Sequence, residues 1–272
     1  MGEAEINRMV EAGVLLDRVT TGWRSASGEP YPMPHTDEVV VFEDYFWHGL
    51  GFPIHPFLRD LLELWRVSLC KLHPNTILHI LIFIHFYEAY LRILPYFNLI
   101  CHLFWLKKKG GDGSKVVGGV YLQLHDGMAG EYLTVPLNTS LKGWNARWFY
   151  MKQSHPAIRC DTDHISKSQK SWSKRPSSAD MEQVTELLGL IKSVKTNSGL
   201  VAASFIMCHI QPYKERAHAG YDFKGDTDCT QERTEMLSRG DVLEQAAELF
   251  APNASFSVSR QKRTFNCTNP PP

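Results

Sequence analysis

The chain has 272 residues, of which 43% are hydrophobic and 21% charged, a composition that fits a folded protein and excludes wholesale disorder. The formal net charge is zero, but the charge is unevenly distributed. Residues 1–64 carry 4 basic and 11 acidic side chains, whereas residues 65–175 carry 15 basic and 6 acidic ones. A basic middle section can bind a polyanion, or it can pair with the acidic start of the same chain.

Several features favour an intracellular protein. The six cysteines are at least 21 residues apart, so neither a zinc-knuckle spacing nor a C-x-x-C motif is present. The acidic start, residues 1–5, differs from a secretory signal peptide, which needs a basic region and an apolar core. The apolar stretch 72–87 lacks full charges over only 16 residues, whereas a membrane span needs about 20. We therefore expect reduced thiols and no membrane partner.

The first part of the chain predicts a strand and four helices. Apolar spacing favours an amphipathic helix over residues 4–16, and the β-branched run 38–42 favours a strand. Three further helices, each opened by a proline, are predicted at 56–72, 74–93 and 95–105. In the last of them, Phe104 and Trp105 extend the apolar stripe. The helix at 74–93 is apolar on nearly every side, which is typical of a central, buried helix.

The second part predicts short strands, a linker and further helices. A turn is expected at 107–114, followed by strands at 116–124, 131–137 and 148–151. Residues 153–178 are rich in Ser, Lys and His and predict a linker or long loop. Helices are then expected at 180–194, capped by Asp180, and at 199–210 and 239–250.

Together these elements predict an α+β protein with a mainly helical core, a small antiparallel sheet, a helical C-terminal segment and a loose tail. The predicted divisions are a core at 1–155, a basic Ser-rich linker at 156–179, a helical segment at 180–212 and a mostly disordered tail at 213–272.

The chain lacks the familiar catalytic motifs. The glycines near 110–119 lack the third glycine of a dinucleotide fingerprint and the lysine of a phosphate loop. A hydrolase elbow is absent. The chain has 12 histidines, and His85 and Glu88 are three apart and could share a metal, but a site needs further ligands and none has a characteristic spacing. We predict no catalytic residue, metal or cofactor. The alternative is an enzyme of unrecognised class that uses His85 and Glu88 in a cleft.

One polar segment predicts contact with nucleic acid. Four basic residues, Lys167, Lys170, Lys174 and Arg175, surround Trp172. Such an arrangement can bind phosphates while the indole stacks on a base, and the neighbouring serines offer no core that would bury it. These five residues are therefore the candidate contacts for RNA or single-stranded DNA, although basic clusters are also common in ordinary loops.

Four strings in this order resemble a plant family. They are EVVVFEDYFWHGLGF followed by PIHPFLR at 38–59, HPNTILHILIFIHFYEAYL at 73–91, YFNLICHLFWL at 96–106 and KGWNARWFY at 142–150. Over about residues 5–215 the chain resembles the putative gypsy-type transposon domain of retrotransposon-related proteins in grasses.

The resemblance implies an origin in the gag-like or accessory region of a long-terminal-repeat retroelement. Although the family's name includes the word transposase, the resemblance supplies no catalytic residue. We therefore predict a non-enzymatic structural or interaction protein. Its expected partners are RNA or single-stranded DNA, another protein, or a second copy of the chain.

Overall fold

The computed structural model describes residues 1–91, 94–108, 118–128, 131–132, 141–153, 158, 169–194, 201–202 and 205–210. The α-helices are α1 (Glu3–Glu11), α2 (Arg18–Thr21), α3 (Glu43–Trp47), α4 (Pro56–Trp65), α5 (Pro74–His85), α6 (Phe97–Leu103) and α7 (Met181–Val194). The strands are β1 (Glu38–Phe42), β2 (Phe104–Lys108), β3 (Val120–Leu124) and β4 (Trp148–Lys152). Short 3₁₀ turns occupy Leu69–Lys71, Trp144–Ala146 and Lys170–Ser173, and π-helical turns occupy Phe86–Leu91 and Ile206–Ile210. The predicted α+β class is confirmed, with two small antiparallel sheets in place of one.

The first sheet pairs two strands that are far apart in sequence. Strand β1 runs antiparallel to β4, with Glu38 opposite Lys152 and Phe42 opposite Trp148. All five residues of β1 are buried, which explains why its sequence is continuously apolar after Glu38 rather than alternating. A further bridge joins Arg24 to Tyr150 and brings the N-terminal segment onto this sheet.

A cluster of charged side chains holds the N-terminal segment against the first sheet. The Arg24 guanidinium donates to both carboxylate oxygens of Glu38 at 2.8 Å and to Glu29 at 2.8 Å. It also lies 3.8 Å from the centre of the Tyr150 ring, and the Tyr150 hydroxyl donates to Glu29. Paired, hydrogen-bonded charges of this kind satisfy one another where water is largely excluded. Part of the acidic start therefore pairs with a basic residue of the same region.

The second sheet corrects the predicted helix at 95–105. Helix α6 ends at Leu103, and Phe104 and Trp105 belong to β2, which pairs antiparallel with β3. Lys107 and Lys108, predicted to form a turn, also lie in β2. From Phe104 to Lys107, buried and half-buried side chains alternate, which is the period of a strand. The apolar residues at 104 and 105 also fit the period of the preceding helix. Pairing with β3, which local sequence does not display, decides between the two.

Helices α4 and α5 begin with the same local device. His55 precedes Pro56 and accepts a hydrogen bond at Nδ1 from the Phe57 amide at 3.1 Å. His73 likewise precedes Pro74, and its Nδ1 accepts from the Asn75 amide at 3.2 Å. Each imidazole thus satisfies an amide that the first helical turn leaves without a partner. The predicted proline starts are confirmed for these two helices.

The ends of several predicted helices differ from expectation. Helix α1 ends at Glu11, where the predicted helix continued to residue 16, because Gly13 has a φ of 70° and turns the chain. Helix α4 ends at Trp65 because Arg66 is left-handed, with a φ of 50°, so Leu72 lies outside it. A residue in this conformation cannot continue an α-helix.

The central helix is the predicted one. Residues of α5 are buried on most sides, and the helix continues as a π-helical turn to Leu91. The ring of Phe83 is fully buried and stacks on Phe57 and Tyr87, with centroid distances of 5.7 and 4.8 Å. A buried aromatic cluster of this kind supplies much of the apolar area removed from water on folding.

The C-terminal segments join the same core. Trp172, Val184 and Phe205 belong to the buried cluster that also contains Phe83. Helix α7 confirms the predicted helix after Asp180 and packs against α6. The strand predicted at 131–137 is wrong at its start, because Glu131 forms a turn. The divisions at 155, 179 and 212 stay predictions, and the helix at 239–250 and the tail lie outside the described residues.

Candidate nucleic-acid interface

Trp172 is buried, which corrects the expectation that no core covers it. Its side chain is 2% exposed, and its indole Nε1 donates a hydrogen bond to the carbonyl oxygen of Trp65 at 2.8 Å. Trp65 is the last residue of α4, where carbonyls lack partners within the helix. An indole in this position has no free face for a nucleic-acid base. Trp172 therefore anchors its 3₁₀ turn to the protein.

The basic residues around this anchor point outward. Lys170, Lys174 and Arg175 are all exposed, and Arg175 Nη1 donates to the carbonyl oxygen of His102 at 3.2 Å. Lys167, the remaining predicted contact, lies outside the described residues. The structure thus brings three of the predicted basic residues together on a short segment fastened to the core, which we call the basic turn (residues 170–175).

The basic turn packs against α4 and β2. Strand β2 adds Lys107, whose ammonium lies 4.2 Å from the centre of the Trp105 ring, a cation–π contact. The imidazole of His125 stacks on the same indole at a centroid distance of 5.7 Å and an interplanar angle of 14°. Lys107 and Trp105 were not among the predicted contacts, because the sequence favoured a turn at Lys107 and a helix through Trp105. The sequence 104–108 has three apolar residues followed by two lysines, so the alternation of buried and half-buried side chains that places Trp105 and Lys107 on one face is visible only in the structure.

Two histidines beside the basic turn respond to its charge. The pKa of His102 and that of His125 are both lowered, first by burial and then by the nearby Arg175. Glu131 opposes the shift at His102, and Asp126 opposes it at His125. Both shifts favour the neutral imidazole, whereas the lysine and arginine side chains of the basic turn carry a fixed positive charge.

The neighbouring thiol of Cys101 is not poised for nucleophilic chemistry. Burial raises its pKa to about 11, although Lys174 acts in the opposite direction. Because the thiolate is the reactive form, a thiol with a raised pKa is unreactive at neutral pH.

His85 and Glu88, the residues of the alternative enzyme site, contact different side chains. Glu88 Oε1 lies 2.6 Å from His55 Nε2, whereas His85 Nδ1 lies 3.1 Å from His209 Nε2. Since the Nδ1 of His55 accepts from the Phe57 amide, its Nε2 carries the proton that faces Glu88. Both nitrogens of His55 thus have hydrogen-bond partners, Nδ1 at the helix start and Nε2 at Glu88, and Glu88 and His85 contact different histidines.

Among the described residues, no three His, Cys, Asp or Glu side chains form a group that could hold a metal ion. In the same part of the chain, the helices are too short or too polar to cross a membrane.

Comparison with known families bears on residues 39–108, which match the family described as "Putative gypsy type transposon". The resemblance inferred from the sequence is confirmed for this segment. We call the matched residues 39–108 the transposon segment. It runs from β1 through α5 to the end of β2 and contains most of the first three quoted strings. Strand β4, which pairs with β1, and the basic turn lie outside it. The plant origin and the wider range of 5–215 stay predictions.

Neither the curated proteins nor the solved structures gave a match to this chain.

Proposed function

We propose that this chain is a non-enzymatic structural protein derived from a long-terminal-repeat retroelement, from its gag-like or accessory region, and that it binds nucleic acid weakly through the basic turn. The transposon segment supports the origin. The observation that carries the nucleic-acid contact is the exposure of Lys170, Lys174 and Arg175 on a turn that Trp172 fastens to the core.

Several observations favour a non-enzymatic role over the alternative. The imidazole of His55 is committed at both nitrogens, and burial keeps the thiol of Cys101 protonated. Glu88 and His85, the residues of the alternative site, contact different histidines on different elements. A general base needs a ring nitrogen or carboxylate within reach of a substrate proton, and these contacts do not favour one.

The charge pattern favours phosphate contact rather than base readout. Three flexible cationic side chains on a fixed turn neutralise phosphates without distinguishing sequence. Binding of this kind is expected to have a Kd on the order of 10⁻⁴–10⁻⁶ M at physiological salt and to weaken steeply as salt rises.

The test is a salt titration with a fluorescein-labelled single-stranded RNA of mixed sequence, measured by anisotropy. The triple variant Lys170→Gln, Lys174→Gln, Arg175→Gln should flatten the plot of log K against log salt by about 2 units, because each single-strand phosphate contact contributes about 0.7. A charge-matched control, Arg8→Gln, Lys142→Gln, Lys152→Gln, removes three exposed basic residues from other elements and should retain the wild-type slope.

Absence of wild-type binding at low salt would contradict the nucleic-acid contact. An unchanged slope in the triple variant would show that the basic turn is not the place of contact. If the wild type does not bind at low salt, a role confined to protein interaction becomes the better account.

A further inference from the structure

The outward face of the β2–β3 sheet carries aromatic and basic side chains. Phe104, Leu106, Val120 and Leu122 are buried on the inner face. The alternate residues, which are half-buried, form the outer face: Trp105, Lys107, Tyr121 and Gln123. We call these four residues the sheet face. The strand register places Lys107 directly opposite Tyr121 and Trp105 opposite Gln123.

The sheet face adjoins the basic turn. The turn packs against β2, and Arg175 donates to the carbonyl oxygen of His102, two residues before β2 begins. Neither β2 nor β3 contains an Asp or Glu residue. Among the described residues, the acidic residues Asp126 and Glu131 lie beyond the end of β3 and influence His125 and His102. Lys107 therefore adds a positive charge on the strand against which the basic turn packs.

The two aromatic residues of the face differ in their surroundings. The indole of Trp105 already stacks on His125 and lies beneath the Lys107 ammonium. Tyr121 is half-buried and lies across the strand pair from Lys107. A ring beside a lysine on a flat sheet is suited to stacking one base while the lysine contacts an adjacent phosphate.

We propose that the sheet face and the basic turn form one surface that binds single-stranded nucleic acid, with Lys107 on a phosphate and Tyr121 stacked on a base. The inference rests on the proposed function and adds the contact residues on the sheet and a preference for single strands over duplexes. Bases are available for stacking in a single strand, whereas in a duplex they are stacked on one another. A sequence-tolerant surface that combines stacking with backbone charge is typical of single-strand binding.

The test compares a labelled 12-nucleotide oligouridine with a 12-base-pair RNA duplex. Tyr121→Ala should weaken oligouridine binding roughly 5- to 150-fold without changing the salt slope, since stacking releases no counterions. Tyr121→Phe keeps the ring and should bind as the wild type does. Lys107→Gln should reduce the slope by about 0.7. Controls are Tyr31→Ala, which removes an exposed ring elsewhere, and Lys142→Gln. Duplex binding should not respond to Tyr121→Ala.

A second measurement does not depend on the stability of variants. A wild-type complex with an oligonucleotide containing 4-thiouridine, irradiated and digested, should yield a cross-linked peptide that contains Tyr121. The absence of that peptide at saturating oligonucleotide would overturn the inference.

The outcomes separate this inference from the proposed function. If the basic-turn variant loses salt dependence while Lys107→Gln and Tyr121→Ala bind normally, the surface ends at the turn and only the sheet contact fails. If no variant in either place alters binding, both fail. If the sheet variants change the sedimentation coefficient but not RNA binding, the sheet face is a protein interface and the inference is wrong.

Discussion

The indole of Trp172 and the carbonyl oxygen of Trp65 form a hydrogen bond of 2.8 Å between residues 107 positions apart. The bond satisfies a carbonyl at the end of α4 and fixes a segment that has few other apolar residues. It also determines where the exposed lysines and the arginine of the basic turn are held. Trp172 thus contributes to the surface by anchoring it rather than by touching a ligand.

Replacing Trp172 should destabilise the protein. Trp172→Ala removes a fully buried ring and leaves the Trp65 carbonyl without its donor, so we expect a loss of about 3–5 kcal/mol in the free energy of unfolding. Urea titration followed by circular dichroism measures it. Trp47→Ala, at a side chain that is 41% exposed, is the matched control and should cost much less. An unchanged urea midpoint for Trp172→Ala would show that the turn is not anchored in solution.

Truncating a buried ring of the central helix should destabilise the protein by as much as Trp172→Ala does. Phe83 is fully buried and stacks on rings from α4 and the π-helical turn, so Phe83→Ala should cost about 3–5 kcal/mol. Chemical denaturation monitored by circular dichroism is again the measurement. A loss below about 1 kcal/mol would mean that α5 is not the core of the fold.

The Arg24 cluster should make stability fall in acid. Burial by itself would raise the pKa of Glu38 and that of Glu29. Hydrogen bonds from Arg24 to both residues, and from Tyr150 to Glu29, outweigh burial and lower both pKa values. A lowered folded-state pKa contributes stability above the unfolded-state pKa, and this contribution is lost as the pH falls through the folded-state value. We therefore expect the urea concentration at the unfolding midpoint to decrease as the pH is lowered below about 4.5.

A double variant isolates that effect. Glu29→Gln with Glu38→Gln should be less stable at pH 7 and should show a shallower decline between pH 5.5 and 3. Glu11→Gln with Glu63→Gln, at exposed positions, should keep the wild-type decline. Equal acid dependence in both double variants would assign the decline to other groups.

Limited proteolysis should distinguish the two sides of residue 169. Residues 160–168 contain a single aliphatic side chain, Ile165, whereas the basic turn is held by Trp172. Within residues 160–178, trypsin should therefore cut first at Lys167, and later at Lys170 and Lys174. Peptide mapping by mass spectrometry reads the order. Trp172→Ala should bring the cuts at Lys170 and Lys174 forward, and a wild-type cut at either lysine before Lys167 would mean that Trp172 does not hold the turn.

Local sequence was sufficient where a single element decides the conformation. Prolines after His55 and His73 marked two helix starts, and the apolar surround of α5 marked it as central. The β-branched run in β1 predicted a strand because such residues suit a buried, extended backbone. The exposed basic residues of the candidate interface were also named from the sequence, and their contact with nucleic acid stays a prediction.

Tertiary structure decided what depends on partners distant in the chain. Phe104–Lys108 became a strand because β3 supplies its hydrogen bonds, although the same apolar pattern also fits a helix. Trp172 is buried at the end of α4, where its indole donates to the Trp65 carbonyl, which has no partner within the helix. The serine-rich sequence around Trp172 gives no indication of that acceptor. Hydrophobic periodicity shows which face of one helix or strand is apolar. Whether a single side chain is buried depends on which other parts of the chain pack against it.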